Sequence, residues 1–163
     1  MRLLVSAFVL LTLAAPARSD ELSALRFLIG EWQAIDTGPG ESGSFTFKLA
    51  VQDRVMLRTN EATYAATDQH PASRHDDLMV IYAEGASLKA DYFDNEGHVI
   101  RYSVQPRGAG AVVFVSDAKP SEPSYRLSYA MGANGVLKGT FEVAAPGSGD
   151  AFKPYLSWNA RRR

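Results

Sequence analysis

Leu25-Arg-Phe-Leu-Ile-Gly-Glu-Trp32 is the stretch whose reading decides the fold. Leu25, Leu28 and Ile29 line one side of a helical turn, Gly30 halts it, and from Glu31 onward apolar residues fall at every second position. A change of period from about 3.6 to 2 marks the passage from helix to strand. The segment Asp20 to Ile29 therefore reads as a short helix, with Leu22, Leu25, Leu28 and Ile29 available to close one end of whatever the following strands enclose.

Toward the C-terminus, ten runs of alternating apolar residues are expected as strands near 31–36, 43–52, 54–65, 77–84, 87–94, 98–105, 110–117, 124–131, 136–144 and 152–161. Asn95-Glu-Gly97, Arg107-Gly-Ala-Gly110, Asn134-Gly135 and Pro146-Gly-Ser-Gly149 separate them with residues that tolerate positive φ at hairpin turns. Phe45, Phe47, Leu49 and Val51 share one face, as do Tyr125, Leu127, Tyr129 and Met131, and Leu137, Gly139, Phe141 and Val143. So many consecutive hairpins leave two exposed edges unless the sheet closes on itself. The expected fold is all-β, an up-and-down antiparallel β-barrel of about ten strands with a short N-terminal helix. One long polar connection, Ala66 to Asp76, is a candidate lid at the end opposite the helix.

Toward the N-terminus, Arg2 precedes the uncharged run Leu3 to Ala15, with small residues around Ala15-Pro-Ala17 and Ala17-Arg-Ser19. This is the pattern of a secretory signal peptide over residues 1–19, leaving one barrel domain over 20–163 and a periplasmic or secreted location. Its apolar run is short of the ~20 residues that span a bilayer, so no integral membrane segment is expected after cleavage. Cleavage after Ser19 removes Arg2 and Arg18 and no acid, which takes the chain from 17 basic and 18 acidic side chains to 15 and 18. Nucleic acid, which needs a concentrated basic surface, is not expected as a partner; Arg161-Arg162-Arg163 reads as a solvated, fraying end. The absence of cysteine excludes disulfides and thiolate-ligated metal centres.

The elements Phe27-Leu-Ile-Gly-Glu-Trp32 and Tyr92-Phe-Asp-Asn-Glu-Gly97, with about ten strands ending near Trp158, resemble the lipocalin-like (calycin) barrels, and among them the nitrobindin-like group and related exported bacterial families. The resemblance covers the whole mature chain. It implies a tryptophan packed across the barrel bottom and an internal cavity. Haem-binding nitrobindins carry an axial histidine near the C-terminus; Phe152-Lys-Pro-Tyr-Leu-Ser-Trp-Asn-Ala160 has none, so haem ligation is not carried over and no cofactor is assigned.

Chemistry-bearing residues are few. His70, His75 and His98 are all the histidines. His75-Asp76-Asp77 holds suitable ligand types, yet neighbours on an extended strand point to opposite faces, so at most two converge. A turn role for Asp76 or Asp77 is the simpler reading, and no metal is assigned. His98 follows a turn and is placed outside any binding site, and Asp91 and Asp94 read as solvated groups flanking a hairpin. Arg58, Asn60 and Ala62 share a face with Met56 and Tyr64. An inward Arg58 needs an acid or a ligand carboxylate, whereas an outward Arg58 or Arg101 pairs across strands with Glu61 or Asp91 for under ~1 kcal/mol, and the outward reading is preferred. Tyrosines on the strands serve either as core or as an apolar wall with a polar tip. The candidate ligand-binding residues are Arg58, Asn60, Tyr82, Tyr92, Tyr102 and Tyr129.

No catalytic residue is assigned: Gly147-Ser-Gly149 is a turn, and Arg107-Gly-Ala-Gly110 leads into a strand where a phosphate loop needs a helix. The expected function is binding of a small apolar or amphipathic molecule by an exported protein. The alternatives are a hydrolase or isomerase built on Arg58, Asn60, His75 and Asp77, and a non-catalytic envelope interaction module. An open cavity lined by tyrosine and phenylalanine favours the first, converging ionisable groups the second, and a filled barrel the third.

Overall fold

The computed structural model describes residues 21–163; the expected signal peptide and Asp20 lie outside them. Ten antiparallel strands form one closed barrel: β1 (Gly30–Ile35), β2 (Ser42–Ala50), β3 (Val55–Tyr64), β4 (Ser73–Glu84), β5 (Ser87–Asp94), β6 (Val99–Pro106), β7 (Ala111–Ser116), β8 (Ser124–Met131), β9 (Leu137–Ala144) and β10 (Lys153–Arg162). Each strand pairs with its sequence neighbours, and β1 pairs with β10 to close the ring. Closure leaves no unpaired edge, which explains how so many hairpins coexist in one sheet.

The expected short helix is a 3-10 segment, Ser23–Leu28, shorter than the span Asp20 to Ile29. Leu25 N–H donates to Leu22 O at 2.9 Å and Ile29 N–H to Arg26 O at 3.1 Å. Leu22, Leu25 and Leu28, three residues apart, are all buried, and a spacing of three matches the tighter turn better than 3.6 does. These leucines pack with Trp32, which is 1% exposed and whose indole N–H donates to Leu28 O at 2.7 Å. Gly30, at φ +136°, makes the bend between plug and strand, in a conformation that side-chain-bearing residues rarely adopt. Its missing Cβ leaves room for Arg162, whose guanidinium lies 4.9 Å over the Trp32 ring and donates to Phe27 O at 3.1 Å. The basic C-terminus is therefore structural through Arg163, in place of the expected frayed tail: Arg161 and Arg162 pair opposite Gln33 and Trp32, and Arg163 N–H donates to Glu31 O at 2.9 Å.

Inward rows follow the expected alternation, with Phe45, Phe47, Leu127, Tyr129 and Leu137 buried. Val51 departs from its row. It is 71% exposed in the β2–β3 turn, where Val51, Gln52 and Asp53 all take positive φ and Arg54 N–H closes the turn onto Ala50 O at 3.1 Å. On β9, Gly139 faces Trp158 of β10, and a Cβ there would overlap the indole, so this glycine makes space for a large aromatic neighbour. The β3–β4 connection is shorter than expected, because β4 already begins at Ser73. Its first residues are polar on both faces and so carry no apolar alternation: Arg74 bridges Glu61 and Asp76 outside, while His75 and Asp77 face inward. Neither Asp76 nor Asp77 is a turn residue.

Candidate functional site

The half of the barrel nearest the plug is filled by Leu25, Leu28, Trp32, Phe47, Met79, Ile81 and Val112. The other half encloses an open cavity of about 840 Å³, walled by Phe45, Ile100, Tyr125, Leu127, Phe141 and Trp158. The mouth thus lies opposite the 3-10 plug, as the sequence implied. The connection between Tyr64 and Ser73 borders this end but does not line the cavity beyond Tyr64.

One polar cluster crosses the cavity wall. The register of β3, β4 and β5 puts Asn60, Asp77 and Asp94 in one row, with Arg58 below and His75 above. Arg58 is 5% exposed, and its Nη1 is ion-paired with Asp77 Oδ1. Asn60 donates to Asp77 Oδ2 at 3.0 Å. His75 Nε2 lies 3.1 Å from the Tyr92 hydroxyl and 3.4 Å from Asp77 Oδ2, while its Nδ1 lies 3.1 Å from Glu96 Oε1. The Tyr92 hydroxyl donates to Asp94 Oδ2 at 3.2 Å. Asp94 also accepts the backbone N–H groups of Glu96 at 3.0 Å and His98 at 2.9 Å, and its Oδ2 lies 2.8 Å from His98 Nδ1.

These contacts set the electrostatics. Burial by itself would raise the Asp94 carboxyl, but the hydrogen bonds from His98 and the Glu96 N–H outweigh it and hold the group below its ordinary value. Burial, then the negative charges of Asp77 and Asp94, push the Tyr92 hydroxyl well up, so it remains a neutral donor. Burial likewise pushes Tyr102 up, and Tyr129 up to about 12. Burial alone would lower Arg58; the opposing pull of Tyr129 and Asp77 leaves it raised and charged. Arg58 Nε and the Tyr129 hydroxyl are the two buried side-chain polar atoms without a hydrogen-bond partner among the described residues.

Of the six candidate ligand-binding residues, Arg58, Asn60, Tyr92 and Tyr102 line the cavity. Tyr129 is buried beneath it, against Phe45, Phe47 and Phe114. Tyr82 is on the outer face, because Met79 and Ile81 take the inward positions of β4; its hydroxyl donates to Asp91 at 3.2 Å and it does not line the cavity. The preference for an outward Arg58 is overturned, since its row carries Met56 into the core and Asp77 supplies the acid. Arg101 does point outward, 3.8 Å from Asp91.

Asp94 and His98, read as solvated or outside any site, both line the cavity. Two-residue alternation from Tyr92 would have turned Asp94 inward. Tyr64 shares the face of Arg58 and Asn60 and is within reach of the same alternation, whereas Glu96 sits in a turn and Tyr155 in a bulge, neither of which an alternating pattern encodes. His75, Asp94 and Glu96 each bring one ligand atom within 4.8 Å of the others, a set able to accept a cation, although hydrogen bonds within the cluster already account for its geometry. No protein-family model matches the chain, and no curated protein is significantly similar to it in sequence.

Proposed function

We propose that this chain is an exported binding protein whose barrel holds one small amphipathic molecule. The observation that carries the reading is the cavity itself: about 840 Å³, open at one end, with an aromatic and aliphatic wall, one polar cluster around Arg58 and Asp77, and further charged groups such as Asp36 and Glu41. Small-molecule sites typically enclose roughly 300–1,000 Å³ and combine mostly apolar walls with a few placed polar groups. The filled half and the Trp32 plug hold the walls in place, so a ligand meets a pre-formed site. The likeness to the lipocalin-like barrels, and more narrowly to the nitrobindin-like group, belongs to the same proposal; it rests on Gly30-Glu-Trp32 and the ten-strand closure. Export rests on residues 1–19 alone.

The second reading, hydrolysis or isomerisation, draws on the convergence of Arg58, Asp77, His75, Tyr92 and Asp94 in the cavity wall. A general base needs a free lone pair within reach of substrate. Asp77 is taken up by Arg58 and Asn60, and both ring nitrogens of His75 are engaged, which supports binding over catalysis. Native mass spectrometry of the chain purified from its own cells tests the proposal. A retained small molecule, lost on denaturation, is expected. Recovery of apo protein alone, together with failure to bind any member of a panel of amphiphiles, would sink it.

A further inference from the structure

We infer that the cavity mouth selects a cationic amphiphile, a molecule whose ammonium group stays at the rim while its apolar body enters the barrel; the inference rests on the binding-protein reading above. Five carboxylates line the cavity, Asp36, Glu41, Asp77, Asp94 and Glu96, against two cations, Arg58 and Lys138. The deep charges satisfy one another: Arg58 holds Asp77, and Asp94 is ringed by donors from Tyr92, Glu96 and His98. At the rim the balance is different. Among the described residues no lysine or arginine pairs with Asp36, Glu41 or Glu96, and the ion-pair partners of Glu96 are the histidines His75 at 3.1 Å and His98 at 3.9 Å. An anionic head group would have to pass these acids to reach a guanidinium already neutralised by Asp77. A cationic one finds acids waiting at the entrance.

Two tyrosines stand beside those acids. Tyr64 and Tyr155 line the mouth and are 37% and 78% exposed. The β9–β10 register shifts between Pro154 and Leu156, leaving Tyr155 as the unpaired residue of a bulge, a device that re-aims a side chain. Its ring meets Phe141 edge-on at 6.1 Å, so the mouth aromatics continue into the apolar wall. Glu41, Tyr64, Glu96 and Tyr155 all line this cavity, and burial raises the Tyr64 hydroxyl, with Glu41, Tyr155 and Glu96 raising it further. Exposed aromatic faces next to carboxylates with no resident lysine or arginine are suited to an ammonium ion, through charge attraction and cation–π contact together. Apolar chains attached to that ammonium then bury against Phe141, Trp158 and Leu127.

Titration of the chain with dodecyltrimethylammonium, dodecanoate and dodecanol, each below its micelle concentration, tests this by calorimetry. The expected result is one-to-one binding with the ammonium about tenfold tighter than the carboxylate and the alcohol between them. That advantage should shrink when salt rises from about 20 to about 500 mM, because the rim charges are exposed. It should shrink about threefold or more in the double variant Glu41→Gln, Glu96→Gln, whose fold is checked by its melting curve. Carboxylate binding as tight as ammonium binding, or an ammonium preference indifferent to both salt and the double variant, overturns the charge assignment while leaving the container intact. Binding of none of the three overturns the container reading and this inference with it.

Discussion

Replacing Asp77 by asparagine should be among the most damaging single changes in the barrel. The Arg58 and Asp77 side chains are 6% and 3% exposed, so neither charge is solvated when its partner is removed. Breaking a buried pair by deleting one member costs about 3–5 kcal/mol, most of it the penalty of the orphaned charge. Asn60 and His75 lose an acceptor as well, whereas the cavity beside the pair admits some solvent to the guanidinium, which favours the lower end, ~3 kcal/mol. For a domain near 150 residues, where 1 kcal/mol moves Tm by roughly 3–4 °C, that is a fall of about 10 °C. The paired variant Arg58→Met, Asp77→Leu removes both charges and fills part of the space with apolar atoms. It should recover most of the loss, because buried pairs exchanged for apolar side chains are often neutral or stabilising. Urea titrations and thermal melts of the two variants read both effects. A loss below about 1 kcal/mol in Asp77→Asn, or a paired variant no more stable than the single one, would refute the view that the pair is a desolvated, mutually dependent unit.

Other changes probe the remaining contacts. Trp32→Phe leaves the buried Leu28 carbonyl without its 2.7 Å donor and should lower urea-measured stability by about 1–3 kcal/mol; an unchanged midpoint would deny Trp32 its role in holding the plug. Gly139→Ala forces Trp158 aside and should destabilise by roughly 1–3 kcal/mol, with a shift in tryptophan emission as the second readout. Because the Asp94 carboxyl is lowered in the folded state, its stabilisation is complete above the ordinary carboxylate value near 4 and is lost as pH falls through the lowered one. The stability gap between the native chain and Asp94→Asn should therefore narrow between about pH 5 and pH 2, and a gap constant with pH would refute the assignment. Tyr82→Phe, on the outer face, should leave amphiphile affinity unchanged, and a clear loss would mean the cavity has been assigned to the wrong side of β4.

Strand number, order and facing were legible because a strand with one face on a core and the other in water must alternate, and the turn residues between runs are chemically specific. The phasing of Phe45 and Phe47, of Leu127 and Tyr129, and of Leu137 survives into the barrel interior. The same logic failed where the interior is polar. Ser73 to Asp76 has no apolar residue to mark an inward face, so alternation predicts a strand only from Asp77 and gives Arg58 no acid to face inside the barrel.

The chain by itself determined a closed antiparallel barrel with a plug at Trp32 and an entrance at the opposite end, because hydrophobic period and turn chemistry are local properties. Only the tertiary structure decided what the wall contains. Asn60, Asp77 and Asp94 lie far apart in sequence and meet through the register of three strands; Glu41, Tyr64, Glu96 and Tyr155 meet because four separate connections end at one rim. Register is a cooperative result of the whole sheet, and no short window of sequence encodes which polar side chain will face which.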